Sequence, residues 1–296
     1  MSGQISKLTF LGTGGGRFAC ILQARATGGL YLQLERPEPG ERARFHIDPG
    51  PGALVRMLSK GLDPLRTDAI LVSHCHPDHY ADAEILIEGM TRGGRERAGA
   101  FLASRSVING VEGYGPAISK YHRERPRIVR ALSAGESATI MGIEIRATPS
   151  AHSDPSSVGF RLSTPRGVLG YLSDTALSDE VTEAHKGSRV LILPVTSPLG
   201  RRIPHHLNVE DAARICEAVR PELALLTHFG MRVICEGPAL AAEEVQRRSG
   251  VTALAAEDGM EVEMGDTIRL LENSPPAPPL NSEGLSRADK WFEGAV

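Results

Sequence analysis

Ser73-His74-Cys75-His76-Pro77-Asp78-His79 puts three imidazoles and one carboxylate within six residues, directly after the apolar run 69–73. Side chains alternate along a strand, so His74 and His76, two residues apart, face the same way where the strand ends. A turn into helix at Asp78 then carries Asp78 and His79 toward a second point. Three of the ten histidines of the chain crowd into this loop. Neither a solvated surface cluster nor a set of hydrogen-bonded core rings calls for that density. Imidazole nitrogen and carboxylate oxygen suit zinc, with manganese or iron as the alternatives in an N/O site. The loop is a candidate metal site.

Outward from it, the chain reads as short strands with helices interspersed. Leu8 and Phe10 alternate with Lys7 and Thr9, which marks 7–11 as a strand, and 29–34 and 43–47 follow. A Gly/Pro turn at 48–52 leads into a helix over 53–59, and 78–90 is expected to be one helix. Residues 91–130 look irregular and basic. Hairpins are expected over 138–148, turning at Met141-Gly142, and over 158–172, turning at 164–167. The second half alternates helix 178–186, strand 190–195, helix 209–219, strand 223–226 and helix 239–248. Two packed sheets flanked by helices, an α/β four-layer αββα sandwich, accommodate this order. One domain over 1–272 is expected, with the Pro-rich stretch Asn-Ser-Pro-Pro-Ala-Pro-Pro-Leu (273–280) leading into a loose tail over 273–296.

Bulk properties set bounds. The 296 residues are 41% hydrophobic and 23% charged, with a net charge of −3, which is ordinary for a globular protein and gives no global pull toward nucleic acid. Four scattered cysteines without a CxxC pair argue against a disulfide framework or a thiolate zinc knuckle. No run approaches the 18 apolar residues of a membrane span, and the start has no secretory pattern; a cytoplasmic protein without membrane partners is expected.

The HxHxDH loop closely resembles the signature of the metallo-β-lactamase superfamily. Four further elements appear in that family's order. Asp48, in Phe45-His46-Ile47-Asp48-Pro49-Gly50, looks like its first motif, which supports the metal loop. His152, in Ser150-Ala151-His152, resembles the third-motif histidine. Asp174, in Leu172-Ser173-Asp174, resembles the bridging carboxylate, and His228, in Leu226-Thr227-His228, the last histidine. Singly, each is as well explained as a loop histidine, a turn former or a buried ring. The resemblance implies two divalent metal ions, one held by His74, His76 and His152. The other takes Asp78, His79 and His228, with Asp174 bridging. Asp78 is thereby expected to act in catalysis, and Asp48 to orient ligands from behind.

Within the superfamily the choice lies between phosphodiesters and carbonyl substrates such as thioesters and lactones. His206, in Pro204-His205-His206-Leu207-Asn208, lies 22 residues before His228 and is expected to open a helix. That placement resembles the phosphodiesterase branch, including ribonuclease Z and the phosphoribosyl cyclic phosphodiesterases. There such a histidine protonates the leaving alkoxide. The expected activity is a metal-dependent phosphodiesterase, with water activated by the ion pair and His206 as general acid. A thioesterase or lactonase on the same scaffold is the alternative. Only 21 residues separate His152 from Asp174, too few for the tRNA-gripping arm of ribonuclease Z. Phe229-Gly230-Met231-Arg232 also lacks the usual Ser-x-Arg-Tyr. The expected partner is a small phosphodiester or nucleotide-like substrate, with nucleic acid, and so a ribonuclease Z-like RNA endonuclease, a less favoured reading, and the resemblance admits a homodimer. Two features stay open between roles: the Gly12–Gly16 turn, structural or near substrate, and the basic residues of 92–130, a solvated face or a substrate contact.

Overall fold

The computed structural model describes residues 6–38 and 41–271; the expected tail over 273–296 lies outside them. In chain order the strands are β1 (Ser6–Gly12), β2 (Thr27–Leu34), β3 (Ala43–Ile47), β4 (Ala69–Val72), β5 (Ala100–Ser104), β6 (Ile128–Leu132), β7 (Ser137–Ile140) and β8 (Ile143–Pro149). They continue as β9 (Val158–Thr164), β10 (Gly167–Tyr171), β11 (Ser188–Pro194), β12 (Leu223–Thr227), β13 (Ala253–Ala255), β14 (Glu261–Met264) and β15 (Ile268–Leu271). An eight-stranded sheet runs β15-β14-β1-β2-β3-β4-β5-β6, and a seven-stranded sheet runs β13-β12-β11-β10-β9-β8-β7.

The sheets pack face to face over a core that includes Leu8, Phe10, Phe45 and Leu71 from one and Ile145, Phe160, Ile192 and Leu225 from the other. Period-two alternation sends the intervening residues outward. Ile70 and Val72 meet Met57, Leu86 and Ile87, while Leu191 and Leu193 meet Ile215 and Val245. Strands buried on both faces therefore show up as continuous apolar runs such as Ala-Ile-Leu-Val. Helices α1 (Gly16–Leu22), α2 (Ala53–Ser59), α3 (Pro77–Tyr80), α4 (Ala83–Met90), α5 (Arg105–Ile108) and α6 (Lys120–Arg123) belong to the first half. Helices α7 (Asp179–Ala184), α8 (Val209–Val219), α9 (Met231–Glu236) and α10 (Pro238–Ser249) belong to the second. The expected αββα sandwich is present.

Three local expectations are corrected. The helix over 78–90 is two helices, because Asp82 leaves the first to donate its N–H to Pro49 O at 3.0 Å and caps the second. The 91–130 stretch contains β5 and the start of β6, which extend the parallel run from β4. Its helices are single turns. The helix near 206 starts at Val209, where Asn208 Oδ1 accepts from Asp211 N–H at 2.9 Å; His206 lies in the loop before it.

The fold also buries a histidine away from any candidate chemistry. His185 is inaccessible, with Nε2 3.0 Å from Thr148 Oγ1, and burial, with the charge of Arg161, depresses its pKa to about 3. The unfolded chain then takes up a proton near pH 6.5 that the folded chain refuses, so stability is full above that value and is lost as pH falls toward 3. Wild type should lose about 2 kcal/mol relative to His185→Gln between pH 7 and pH 5. Urea unfolding of both proteins at the two pH values checks this; a pH-independent difference refutes it.

Candidate metal centre

Strand direction gathers the site. β1, β3 and β4 run one way in the first sheet, and β8, β10, β11 and β12 run in parallel with one another in the second. The loops that leave their C-terminal ends meet at one end of the sandwich. They carry Gly12–Gly16, Asp48, the 74–79 loop, His152, Asp174 and His228. Seven side chains spread over 155 positions become neighbours by this device.

The foundation is Asp48, 3% exposed and at φ 51°. Its Oδ1 accepts from Ser73 N–H at 2.7 Å, and Oδ2 accepts from the Ser73 hydroxyl at 2.6 Å, the Tyr171 hydroxyl at 2.6 Å and His79 Nδ1–H at 2.9 Å. A carboxylate only accepts, so His79 holds its proton on Nδ1 and turns a bare Nε2 into the site. His152 Nδ1–H donates likewise to the carbonyl of His205 at 3.1 Å. The expected supporting place of Asp48 is the one it occupies.

Four overlapping groups of donor atoms result: His74–His76–His152, His74–His79–Asp174, Asp78–His79–His228 and His152–Asp174–His206. His76 Nδ1 lies 3.0 Å from His74 Nε2 and 3.1 Å from His152 Nε2. His228 Nε2 lies 3.1 Å from His79 Nε2 and 3.4 Å from Asp78 Oδ2. Between them, Asp174 Oδ2 is 3.6 Å from His79 Nε2 and 4.0 Å from His152 Nε2. Within each of the sets His74–His76–His152 and Asp78–His79–His228, the donor atoms all lie within 4.8 Å. Zinc–nitrogen bonds of about 2.0–2.1 Å put tetrahedral ligand atoms roughly 3.3 Å apart, so these spacings suit a shared cation. Asp174 Oδ1, buried and making no hydrogen bond although His228 Nδ1 lies 3.2 Å away, adds an acceptor that calls for positive charge.

The electrostatics agree. Burial alone would raise the carboxyls of Asp78 and Asp174, yet the surrounding histidines outweigh it and hold both far below the ordinary carboxylate range. Burial would lower His79, but Asp78, Asp48 and Asp174 outweigh it and raise it well above its usual value. Burial together with His79 pushes His74 far down, and burial takes His152 to about 4. The carboxylates call for positive charge beside them, and the rings of His74 and His152 are held neutral as donors.

A Beta-lactamase superfamily domain model matches residues 43–229. The chain belongs to the metallo-β-lactamase superfamily. It is 39% identical over 260 residues, 87% of this chain and 95% of the other, to the uncharacterised protein MJ1374 of Methanocaldococcus jannaschii. To the ribonuclease Z of Pyrobaculum neutrophilum it is 28% identical, over 76% of this chain and 87% of that one. The solved metallo-β-lactamase fold protein YhfI of Bacillus subtilis superposes with a TM-score of 0.72 at 19% identity, covering 88% of this chain and 100% of that one.

As a superfamily member the chain is a metal-dependent hydrolase with His/Asp clusters that could hold metal. His206 is the eighth predicted side chain to arrive. Its Nε2 is 3.4 Å from Asp174 Oδ2, and its Nδ1–H donates to the Pro204 carbonyl at 2.8 Å. Sequence reasoning missed three supports of this superfamily site. Tyr171 reaches Asp48 from β10. Asp154, wholly buried, accepts from Cys75 N–H at 2.9 Å and from the Ser106 hydroxyl, fixing the 74–79 loop from below. Asp258 accepts from the Thr13 N–H at 2.9 Å and hydroxyl at 2.7 Å. Of these, only Asp154 had a signal, its closeness to the third-motif histidine.

The glycine turn has its role here as well. A Cβ on Gly15 would stand 2.1 Å from His228 Nδ1, and Gly16 N–H donates to Asp78 Oδ2 at 3.1 Å. The basic stretch, by contrast, is partly occupied within itself. Arg92 pairs with Glu96 at 3.2 Å, Arg97 donates to the Glu124 carbonyl, Arg125 stacks 3.9 Å over Tyr121, and His122 lies between Glu84 and Glu88. No helix among the described residues is long and apolar enough to cross a membrane.

Proposed function

We propose that the chain is a dinuclear metal-dependent phosphodiesterase acting on a small phosphodiester. His74, His76 and His152 would hold one ion, Asp78, His79 and His228 the second, and Asp174 both. Zinc fits the donor set best, with manganese and iron as alternatives. Two such ions supply an activated water at neutral pH and clamp the oxygens around phosphorus.

The observation that carries the phosphodiester reading is His206. Its Nδ1 is occupied by the Pro204 carbonyl, and its Nε2 is turned to Asp174 Oδ2, 3.4 Å away, beside the donor sets. Burial lowers its pKa, but the hydrogen bond and charge of Asp174 outweigh this and raise it. The protonated ring can hand its Nε2 proton to a departing alkoxide, which is a poor leaving group without one. Thioester and lactone cleavage places less demand on such an acid. The relative named ribonuclease Z supports the same reading by its name. The 158–171 segment here is a plain β9–β10 hairpin, Thr164 paired with Gly167, so a small substrate is favoured over transfer RNA.

Full-length protein loaded with zinc or manganese should hydrolyse bis(p-nitrophenyl) phosphate and be silenced by chelation. Elemental analysis should find two ions per chain. Turnover confined to S-lactoylglutathione or acyl lactones in the same panel would replace this reading with the thioesterase or lactonase alternative.

A further inference from the structure

Tyr114 stands half-buried beside the metal cluster, its ring centroid 5.9 Å from that of His76 and tilted 53° to it. Among the described residues it is the one phenylalanine, tyrosine or tryptophan ring in contact with a histidine of the donor sets. It packs into no apolar core cluster, and its hydroxyl makes no hydrogen bond among those residues. The segment that carries it is nonetheless firmly held. Val111 and Tyr114 exchange backbone N–H···O bonds at 2.9 Å, and Ala117 N–H donates to the Val107 carbonyl at 3.0 Å. A Cβ on Gly115 would stand 2.0 Å from the Ser106 carbonyl oxygen, so glycine is what lets the chain lie this close. Ser106 in turn donates its hydroxyl to Asp154, which also accepts from Cys75 N–H. Tyr114 and the 74–79 loop therefore hang from one buried carboxylate, and the ring keeps its place relative to His76.

The rings form a row: Tyr114, His76, His152 and His206, at successive centroid spacings of 5.9, 5.0 and 5.0 Å. A phosphodiester seated at the centre has two ester groups. One departs toward the proton on His206; the other stays on phosphorus and points away from the departing oxygen. The end of the row away from His206 offers that retained group an aromatic surface. The metal-holding residues serve only the phosphoryl oxygens common to every ester, so discrimination between esters falls to whatever the retained group touches. Planar rings gain on an aromatic side chain beyond the area they bury.

We propose that Tyr114 is a specificity-determining residue that packs against the retained ester, so that the preferred substrates are diesters whose uncleaved group is planar and aromatic. The proposal rests on the phosphodiesterase reading for which ester is cut, but the contact can be tested without turnover. Calorimetry on zinc-loaded full-length protein compares the monoesters that such a cleavage would leave behind, phenyl phosphate and methyl phosphate. Wild type should bind phenyl phosphate about tenfold more tightly, a difference of ~1.4 kcal/mol. In Tyr114→Ala that ratio should fall to about twofold or less, while methyl phosphate binds as it does to wild type. Tyr114→Phe should keep the wild-type ratio. Cyclohexyl phosphate, similar in bulk but not planar, should bind wild type at least about threefold more weakly than phenyl phosphate.

A ratio that survives Tyr114→Ala, or cyclohexyl phosphate bound as tightly as phenyl phosphate, overturns the proposal. So does a parallel loss of methyl phosphate binding in Tyr114→Ala, which would make the ring a support for His76. A ratio lost in Tyr114→Phe as well would pass the role to the hydroxyl and overturn it too. Phenyl p-nitrophenyl phosphate and methyl p-nitrophenyl phosphate then separate the two readings. The same dependence on Tyr114 should reappear in kcat/KM. A binding preference with neither diester hydrolysed leaves Tyr114 its role and refutes the phosphodiesterase reading; hydrolysis of both without regard to Tyr114 does the reverse.

Discussion

Replacing Asp174 with alanine is expected to remove at least one metal ion per chain and to cut hydrolysis by about 10³-fold, on the scale of losing a principal electrostatic contact in an active site. Asp174 is 2% exposed and lies near both donor sets, with His79, His152, His206 and His228 at 3.2–4.0 Å. Its loss removes a negative charge shared by four rings, so two neighbouring cations would repel each other without a screen between them. Asp174→Asn separates charge from packing: it keeps the volume and should show nearly the same metal loss. Elemental analysis after dialysis, beside circular dichroism to establish the fold, decides the matter. Two ions retained at wild-type affinity in Asp174→Ala would mean that the donor sets do not form a paired centre.

That experiment bears on residues that the sequence displays unevenly. The 74–79 loop is legible because four donors are adjacent, and strand alternation alone points His74 and His76 together. His152, Asp174 and His228 are individually mute; the sequence shows their types and order, while their meeting depends on β8, β10 and β12 running the same way in one sheet. Parallel strands at the core, such as β4 and β11, are legible as apolar runs because both faces are buried. β5 has the same character in Ala-Phe-Leu-Ala-Ser, but it is short and set among arginines, so the charge masks it. α1 was missed for the opposite reason: Phe18, Ile21 and Leu22 are all exposed, at 71%, 73% and 65%, and no amphipathic stripe marks it. The break at Asp82 depends on Pro49 in a distant loop, and Tyr171 finds Asp48 across 123 positions. Neither partner is visible without the fold.

His206→Ala should separate substrates by their leaving groups. A diester that releases an alkyl alkoxide must receive a proton as the bond breaks, and a positioned general acid contributes ~10²–10⁴-fold to that step. A diester that releases p-nitrophenolate departs without one. The variant is therefore expected to lose ~10²–10⁴-fold in kcat on the alkyl ester and less than ~10-fold on the p-nitrophenyl ester. Metal content should stay near wild type, since Asp174 retains His79, His152 and His228 as neighbours. The split matters more than either number. Equal losses on both esters would point to His206 as a positioning residue for Asp174, 3.4 Å away, rather than a proton donor. Full activity on the alkyl ester would end the acid assignment. His206→Gln sharpens the result: it keeps a side-chain hydrogen-bond donor but cannot deliver a proton, so it should follow alanine if the ring is an acid and approach wild type if the ring only holds Asp174 in place.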